Sequence, residues 1–267
     1  MKMKYISFIL MFFLSLPFLK GQSDSSRQYF KIGVGYQQLV PRYNILNLRF
    51  INSGASLNIN ENEIQNSHIN SFGLDVGFIE KITRKGLIIN YFDFFISSGS
   101  NLTSLEISSG IGYEKTLLNS YRSSARKKQA VLKFRTGLFL NYSYYDYFLK
   151  SIISQNKNPI YVNNVNLTNN MQILILDNIW KLTPYLGFNL ILSSNKELRF
   201  YGIYNYAFYA SEKLRFAESK VSLTHRAVSQ VNVNEKDYLF DPNGNSINSV
   251  FKGGATFTIK IELALKF

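Results

Sequence analysis

The sequence predicts an all-β fold, a transmembrane antiparallel up-and-down β-barrel of eight strands, with ten strands as the alternative. Three observations lead to this prediction. Segments in which apolar and polar side chains alternate with period 2 recur along the chain. The polar connections between these segments alternate between short and long. Beyond the N-terminus, no apolar run reaches the roughly 18 residues that a membrane-spanning helix needs.

The first 21 residues have the features of a secretion signal. Lys2 and Lys4 form a basic start, and the apolar stretch from Tyr5 to Leu19 is too short to span a bilayer. Cleavage is predicted between Gly21 and Gln22, and the exact bond is less well defined than the signal because Leu19 and Lys20 depart from the usual small-x-small pattern. An uncleaved anchor is the alternative. Residues 22–267 would then form a single barrel domain.

Eight predicted strands divide the mature chain. Their approximate ranges are 29–37, 67–82, 87–97, 104–117, 129–144, 169–193, 198–210 and 251–267. The third range is apolar on both faces, so its register stays open. The sixth contains Pro184 and is either one bent strand or a hairpin, because proline in a ladder belongs at an edge, a bulge or a turn. A hairpin there, together with a strand at 44–51, would give ten strands.

The lengths of the connections predict how the barrel sits in a membrane. The connections after the second and sixth strands are tight turns, whereas those after the first, fifth and seventh are long. Short turns at one end and long loops at the other are typical of transmembrane barrels. The even number of strands places both chain termini at the end with the short turns.

The last strand carries period-2 alternation to the final residue of the chain. Its apolar positions are Phe257, Ile259, Ile261, Leu263, Leu265 and Phe267. This strand resembles the C-terminal assembly signal of outer-membrane proteins, and the whole chain resembles the small outer-membrane β-barrel family of Gram-negative bacteria. The resemblance implies location in the cell outer membrane and insertion by the barrel-assembly machinery. It carries no catalytic residue over to this chain.

The inward faces of the predicted strands collect charges of both signs in equal number. They are Lys31, Lys133, Arg135, Arg199, Lys260, Asp75, Asp93, Glu106, Glu114 and Glu262, and Asp93 depends on the open register of the third strand. An eight-stranded barrel is only wide enough for side chains to fill its interior, and buried charges need partners. We therefore expect a closed lumen filled by ion pairs, in which Arg135 has an acidic partner. A wider, hydrated ten-stranded bore is the alternative.

Composition excludes several kinds of chemistry. The chain has no cysteine, which excludes lipid anchoring through a thiol, disulfides and cysteine-based zinc sites. Its two histidines, His68 and His225, match no recognisable lipase pattern and are expected to be solvated. The sequence therefore predicts no catalytic residue, no cofactor and no metal site.

Charge and loop length indicate the partners. The formal net charge is +13, and the mature chain stays basic after the lysines of the signal are removed. Nucleic acid is not an expected partner of an exported chain, whereas membrane lipid and the phosphates of lipopolysaccharide are. We expect a non-enzymatic structural or surface-interaction protein that binds an unidentified extracellular ligand through its long loops. A small channel or transporter is one alternative, and an outer-membrane lipid-modifying enzyme is the other.

Overall fold

The computed structural model describes residues 26–41, 43, 45–48, 63–65, 69–82, 86–119, 131–153, 160–163, 165–167, 170–218, 230–251 and 256–267. The described residues form fourteen strands and one short 3-10 helix. The strands are β1 (Ser26–Leu39), β2 (Ile45–Leu48), β3 (Glu63–Gln65), β4 (Ile69–Ile82), β5 (Leu87–Gly99), β6 (Leu102–Asn119), β7 (Val131–Ile153), β8 (Ile160–Val162), β9 (Val165–Leu167), β10 (Asn170–Ser193), β11 (Lys196–Glu218), β12 (Gln230–Val233), β13 (Leu239–Phe240) and β14 (Thr256–Lys266). The helix is η1 (Glu235–Asp237). The predicted signal at residues 1–21 lies outside the described residues.

Eight of these strands close into an antiparallel barrel. Each barrel strand pairs with the next one along the chain, in the order β1, β4, β5, β6, β7, β10, β11 and β14. The ring closes where β14 pairs with β1, with Phe30 opposite Leu265 and Tyr36 opposite Ile259. Closure gives the backbone groups of every barrel strand a partner on both sides, which a sheet within lipid requires. The predicted eight-stranded barrel is confirmed.

Residues 170–193 form one continuous strand, so the ten-stranded alternative is wrong. Pro184 lies opposite Leu138 of β7. On the β11 side the pairing passes from Leu182 directly to Tyr185, so the proline stands in a gap of that ladder. A proline has no N–H to donate, and at this gap the ladder with β11 needs no N–H from residue 184. The other extra strand proposed from the sequence, β2, pairs with β3 and β13 outside the barrel.

A β-bulge in β5 resolves the open register of the third predicted strand. The pairing of β5 with β6 shifts between Asn90 and Asp93. Asn90 is buried on the inner face before the shift, and Asp93 and Phe95 are buried on it afterwards. One inserted residue reverses which residues face inward, and this is why simple alternation failed over 87–97. Asp93 lies in the interior.

The outer wall carries an exposed apolar band that suits the bilayer. Its members include Ile32, Val34, Phe72, Leu74, Ile111, Leu186, Phe200, Ile259 and Ile261. Tyr142, Trp180 and Tyr209 form an aromatic row across β7, β10 and β11, as expected where a barrel wall leaves the hydrocarbon region. These three strands continue beyond the row, so their upper parts stand outside the membrane. None of the helices in the described segments is long and apolar enough to cross a bilayer.

A second apolar core lies above the membrane, where the sequence predicted polar loops. We define the cap as β2, β13 and residues 230–251, which pack against the inner face of the upper parts of β7, β10 and β11. Its core includes Leu46, Leu48, Ile173, Ile175, Leu214, Phe216, Val231, Val233, Leu239, Ile247, Val250 and Phe251. The ranges predicted as loops, 38–66 and 211–249, therefore contain packed structure.

Candidate functional site: the filled barrel interior

The middle of the interior is occupied by a cluster of five charged side chains. The Lys31 ammonium lies 2.7 Å from a carboxylate oxygen of Asp93, 2.8 Å from Glu262 and 3.3 Å from Asp75. Lys260 is ion-paired with Asp75 and lies 3.6 Å from Asp93. All five side chains are at most 4% exposed. We call these five residues the middle network.

A second group of charges fills the interior near the end with the short turns. Lys81 Nζ lies 2.8 Å from Glu114 and 2.5 Å from Glu197. Arg199 pairs with Glu197 at 3.0 Å, and Lys133 pairs with Glu114 at 2.8 Å. We call these five residues the lower network. Four of its side chains are at most 7% exposed, and that of Lys133 is 23% exposed.

Arg135 does not have the acidic partner that the sequence predicted. Its guanidinium donates 3.2 Å hydrogen bonds to the Tyr185 hydroxyl and to the Asn90 side-chain oxygen. The same group lies 5.3 Å from the ring centre of Tyr185 and 5.6 Å from that of Tyr201. Within the described residues, this fully buried cation is therefore held by aromatic faces and neutral oxygens instead of by an ion pair.

Glycines make room for the aromatic side chains that surround Arg135. Tyr185 stacks on Phe139, with ring centres 4.6 Å apart. A Cβ at Gly112 would lie 2.0 Å from the Tyr185 hydroxyl oxygen, and one at Gly137 would lie 2.6 Å from its ring. Gly137 lies directly opposite Tyr185 on the neighbouring strand β7, and Gly112 lies beside it on β6, so the missing side chains let the tyrosine ring lie along the inner wall. Aromatic rings and glycines together fill the bore at this level.

The upper interior holds a mixed polar network below the cap. Lys181 Nζ lies 3.0 Å from a carboxylate oxygen of Glu106. The same carboxylate accepts hydrogen bonds of 2.7 Å from Gln37 and from the Tyr145 hydroxyl, and one of 3.1 Å from Asn141. Ser97 and Ser104 bond to each other and to Gln37. Buried polar groups here are satisfied by one another, as a dry interior demands.

The structure brings together the predicted interior residues but adds three that the sequence analysis missed. Lys81 has the same alternation phase as Asp75 and could have been found from it. Lys181 was part of the turn only in the hairpin alternative for residues 169–193, and Glu197 fell in a segment predicted to be a tight turn. Both lie within continuous strands. With these additions the described interior from Lys181 downward holds seven bases and six acids, so the charges there remain nearly balanced.

The middle network is also the place where described acidic groups come close enough to hold a metal ion. One oxygen from each of Asp75, Asp93 and Glu262 lies within 4.8 Å of the others. The ammonium groups of Lys31 and Lys260 contact these same carboxylates. Two lysine cations therefore supply the positive charge that a metal would bring, and the residues fit a lysine-neutralised cluster better than a metal site.

The cap contains a hydrogen-bonded turn at Asp241–Asn245. The N–H of Gly244 donates to the Asp241 carbonyl at 2.9 Å, and Gly244 has a φ of 83°, which favours glycine. The Asp241 carboxylate accepts hydrogen bonds from the side chain and backbone N–H of Asn245, and these hold the pKa of Asp241 below its usual range. The turn presents an exposed polar tip. His68 and His225, the residues on which a lipid-modifying enzyme would depend, lie outside the described residues.

Comparisons with known proteins add only weak likenesses. No protein-family model matches the sequence, and no curated protein sequence matches it. Among solved structures, the chain is similar to a deltaS2 mutant of the TodX monoaromatic hydrocarbon channel, with a TM-score of 0.24, 7% identity and 90% of each chain covered. It is also similar to the translocator domain of the autotransporter NalP from Neisseria meningitidis, with a TM-score of 0.21, 9% identity and coverage of 98% of this chain and 96% of that one. Likenesses of this strength carry no functional argument, and the barrel assignment stands on the strand pairing itself.

Proposed function

We propose that this protein is a closed, non-enzymatic barrel of the outer membrane that carries a folded cap as an external interaction surface. The observation that supports this function best is the filling of the interior. Ion-paired lysines, stacked tyrosines and hydrogen-bonded carboxylates occupy the lumen from the lower network to the upper one. An interior of this kind makes a rigid support for what stands above it and offers a solute little room to pass.

An outer-membrane location is supported by the combination of an exposed apolar band and a closed antiparallel ring. The barrel-assembly machinery is the proposed route of insertion, with the apolar positions of β14 as its recognition signal. Membrane lipid is the proposed neighbour of the band. Lipopolysaccharide phosphates are proposed to contact basic side chains above the aromatic row, where Lys213 is exposed.

The cap supports the proposed binding role because it has a core of its own. A loop that served only to join strands would not need to bury Leu46, Val231 and Phe251 completely or almost completely. Packing of this kind holds the exposed Asp241–Asn245 turn in a fixed position above the membrane. Preorganised surfaces bind with a smaller loss of conformational entropy than mobile loops do.

The location and orientation can be tested with epitope tags in two exposed turns. A tag at Asn243 should be reached by antibody on intact cells, because the cap faces outward. A tag at Ser194, in the turn between β10 and β11 at the opposite end, should be reached only after the outer membrane is permeabilised. Labelling of both tags, or of Ser194 alone, on intact cells would contradict the proposed arrangement.

A further inference from the structure

Three carboxylates meet where the cap joins the barrel wall. Asp177 of β10 and Glu212 of β11 lie directly opposite each other in the sheet, and Glu235 begins η1 of the cap. All three lie beyond the aromatic row of Trp180 and Tyr209, outside the membrane. Like charges directly opposite each other on one sheet face repel. Something must therefore compensate for this arrangement.

Glu212 has a structural task. Its carboxylate accepts hydrogen bonds from Ser249 Oγ at 2.7 Å, from the Val250 N–H at 2.6 Å and from the Phe251 N–H at 3.0 Å. These bonds tie residues 249–251 of the cap to the barrel wall. Burial raises the pKa of Glu212, and these three donors oppose that shift because they favour the ionised form. Within the trio, Glu212 is therefore the carboxylate whose charge has the most support.

Asp177 and Glu235 are buried without comparable support. Asp177 is 1% exposed, and neither of its carboxylate oxygens has a hydrogen-bond partner among the described residues. Glu235 is 4% exposed, and its Oε1 likewise has no partner in the described part of the chain. Burial first, and then the charge of Glu212, raise the pKa of each to about 7. The two groups therefore hold protons in the docked cap that they would release if exposed.

Nearby cations do not cancel this effect. Asp177 also faces Lys181, but that ammonium is 3.0 Å from Glu106 and serves the upper network. Glu235 faces Lys213 of β11, whose influence is opposed by Glu212 and by Asp237 of the same helical turn. The described donors to Glu212 are a hydroxyl and two backbone N–H groups, all uncharged.

A polar cavity lies beside the trio and gives the cap room to move. Its volume is 310 Å³, and it is lined by Ser211, Glu212, Asn234, Glu235, Lys236 and Asn248, among others. The cavity lies between strand β11 and two parts of the cap, η1 and residues 248–249. Glu212 and Glu235 line the cavity directly, so protons can reach these two carboxylates, and η1 can shift without passing through a packed core.

We propose that Asp177, Glu212 and Glu235 form a proton-operated latch between the cap and the barrel. In acid, Asp177 and Glu235 are neutral and Glu212 holds residues 249–251 in place. As pH rises, the two protons leave and three negative charges face one another at the seam, which pushes η1 and residues 249–251 away from the wall. The latch goes beyond the proposed binding role, because it determines the pH range in which the cap is held against the barrel wall.

The sign of the pH dependence follows from proton linkage. The two carboxyl groups bind protons more tightly in the docked cap than in an exposed state, where carboxyl pKa values lie near about 4. Docking is therefore strongest in acid and weakens as pH rises from about 4 to about 7. Above that range both states are deprotonated, and no further change is expected.

Spin labelling tests the latch on the full-length barrel in detergent, because the chain has no native cysteine. A label at Asn248→Cys reports the mobility of the cap, and one at Ser194→Cys reports the opposite end as a control. The electron paramagnetic resonance spectrum of the label at position 248 should narrow as pH rises to about 7, because the cap becomes more mobile, and should then stay constant. The spectrum at position 194 should not change. A label at 248 that is insensitive to pH would overturn the proposal.

Neutral, nearly isosteric variants test the residues that the latch uses. In Asp177→Asn/Glu235→Gln, the label at 248 should keep the broad spectrum of the acid form at every pH, while heat-dependent gel mobility confirms that the barrel is folded. Glu235→Gln alone should lose part of the pH response and decides the matter if the double variant does not fold. If the spectrum of the label at 248 narrows with rising pH as much in Glu235→Gln as in the parent protein, the result contradicts the latch.

Discussion

Single cations shared among several carboxylates hold the middle of the barrel together. Lys31 contacts Asp75, Asp93 and Glu262, and all four side chains are essentially excluded from water. Removing the shared cation would leave three acids with Lys260 as the remaining base of the middle network. Burial makes such a change far more costly than the loss of an ion pair at the surface.

Lys31→Met should therefore destabilise the barrel strongly, by about 3–5 kcal/mol. Lys133→Met is the matched control, because Lys133 is also ion-paired but remains partly exposed, and about 1 kcal/mol or less is expected. Thermal unfolding followed by the heat-dependent shift in gel mobility would measure both. Equal melting temperatures for the two variants would argue against a dry middle network.

Glycines in the wall make space for the aromatic filling. Gly112→Ala would place a methyl group 2.0 Å from the Tyr185 hydroxyl oxygen, so the ring must move, at a cost of about 1–3 kcal/mol. Gly202→Ala is the control, because its nearest neighbours are 3.5 Å away on the Phe257 ring. Melting temperatures should fall for the first variant and stay nearly unchanged for the second. The reverse order would contradict the packing of Tyr185 against that wall.

The inner face of strand β10 changes from apolar to polar along its length, and the sequence therefore left two interpretations of this segment open. Its inner face carries Ile173 and Ile175 beneath the cap, then Asp177, then Lys181 and Tyr185 within the barrel. The outer face is apolar throughout the membrane, whereas the inner face is apolar beneath the cap and polar within the barrel. Alternation with period 2 distinguishes a strand only where one face is apolar and the other polar, so the sequence could not separate one long strand from a hairpin here. The cleaner strands β1, β4 and β7 keep a single pattern, and their faces were predicted correctly.

The gap in the ladder beside Pro184 predicts an asymmetry between two substitutions in β10. Pro184→Ala should change stability by about 1 kcal/mol or less, because no paired N–H is lost at this position. Leu186→Pro should cost roughly 1–3 kcal/mol, because Leu186 is paired with both Thr136 and Gly202. Refolding yield and melting temperature measure the difference. Tolerance of Leu186→Pro would show that β10 is not paired on both sides there.

The terminal strand β14 is expected to matter more for assembly than for stability. The Phe267 ring lies 6.4 Å from that of Phe78, edge to face, and the residue ends the apolar face that closes the barrel. Deleting Phe267 should lower the amount of folded barrel in the membrane, whereas Phe267→Tyr, which keeps an aromatic end, should not. Immunoblotting of membrane fractions compares them. Normal levels after the deletion would remove Phe267 from the assembly signal.

At the scale of the whole molecule, the protein consists of a filled barrel below and a packed cap above. The closed ring, its strand number and most interior charges followed from alternation, since burial on one face imposes period 2. The packing of the cap did not follow, because its short strands β2, β12 and β13 come from distant segments. Alternation at 44–51 indicated β2, but apolar pairs such as Leu46 and Leu48 do not show what they pack against until tertiary contacts bring the segments together. Arg135 shows the same limit, since its tyrosine partners lie on other strands.

The central claim is that the lumen is closed, and planar-bilayer recording of the refolded protein tests it most directly. The parent protein should show no steady unitary conductance, because the middle network and the Tyr185–Arg135 layer fill the bore. Heat-dependent gel mobility of the same sample is the control, because it shows that the protein without conductance is a folded barrel. A steady open conductance of the unmodified barrel, with normal thermal stability, would contradict the closed-barrel account.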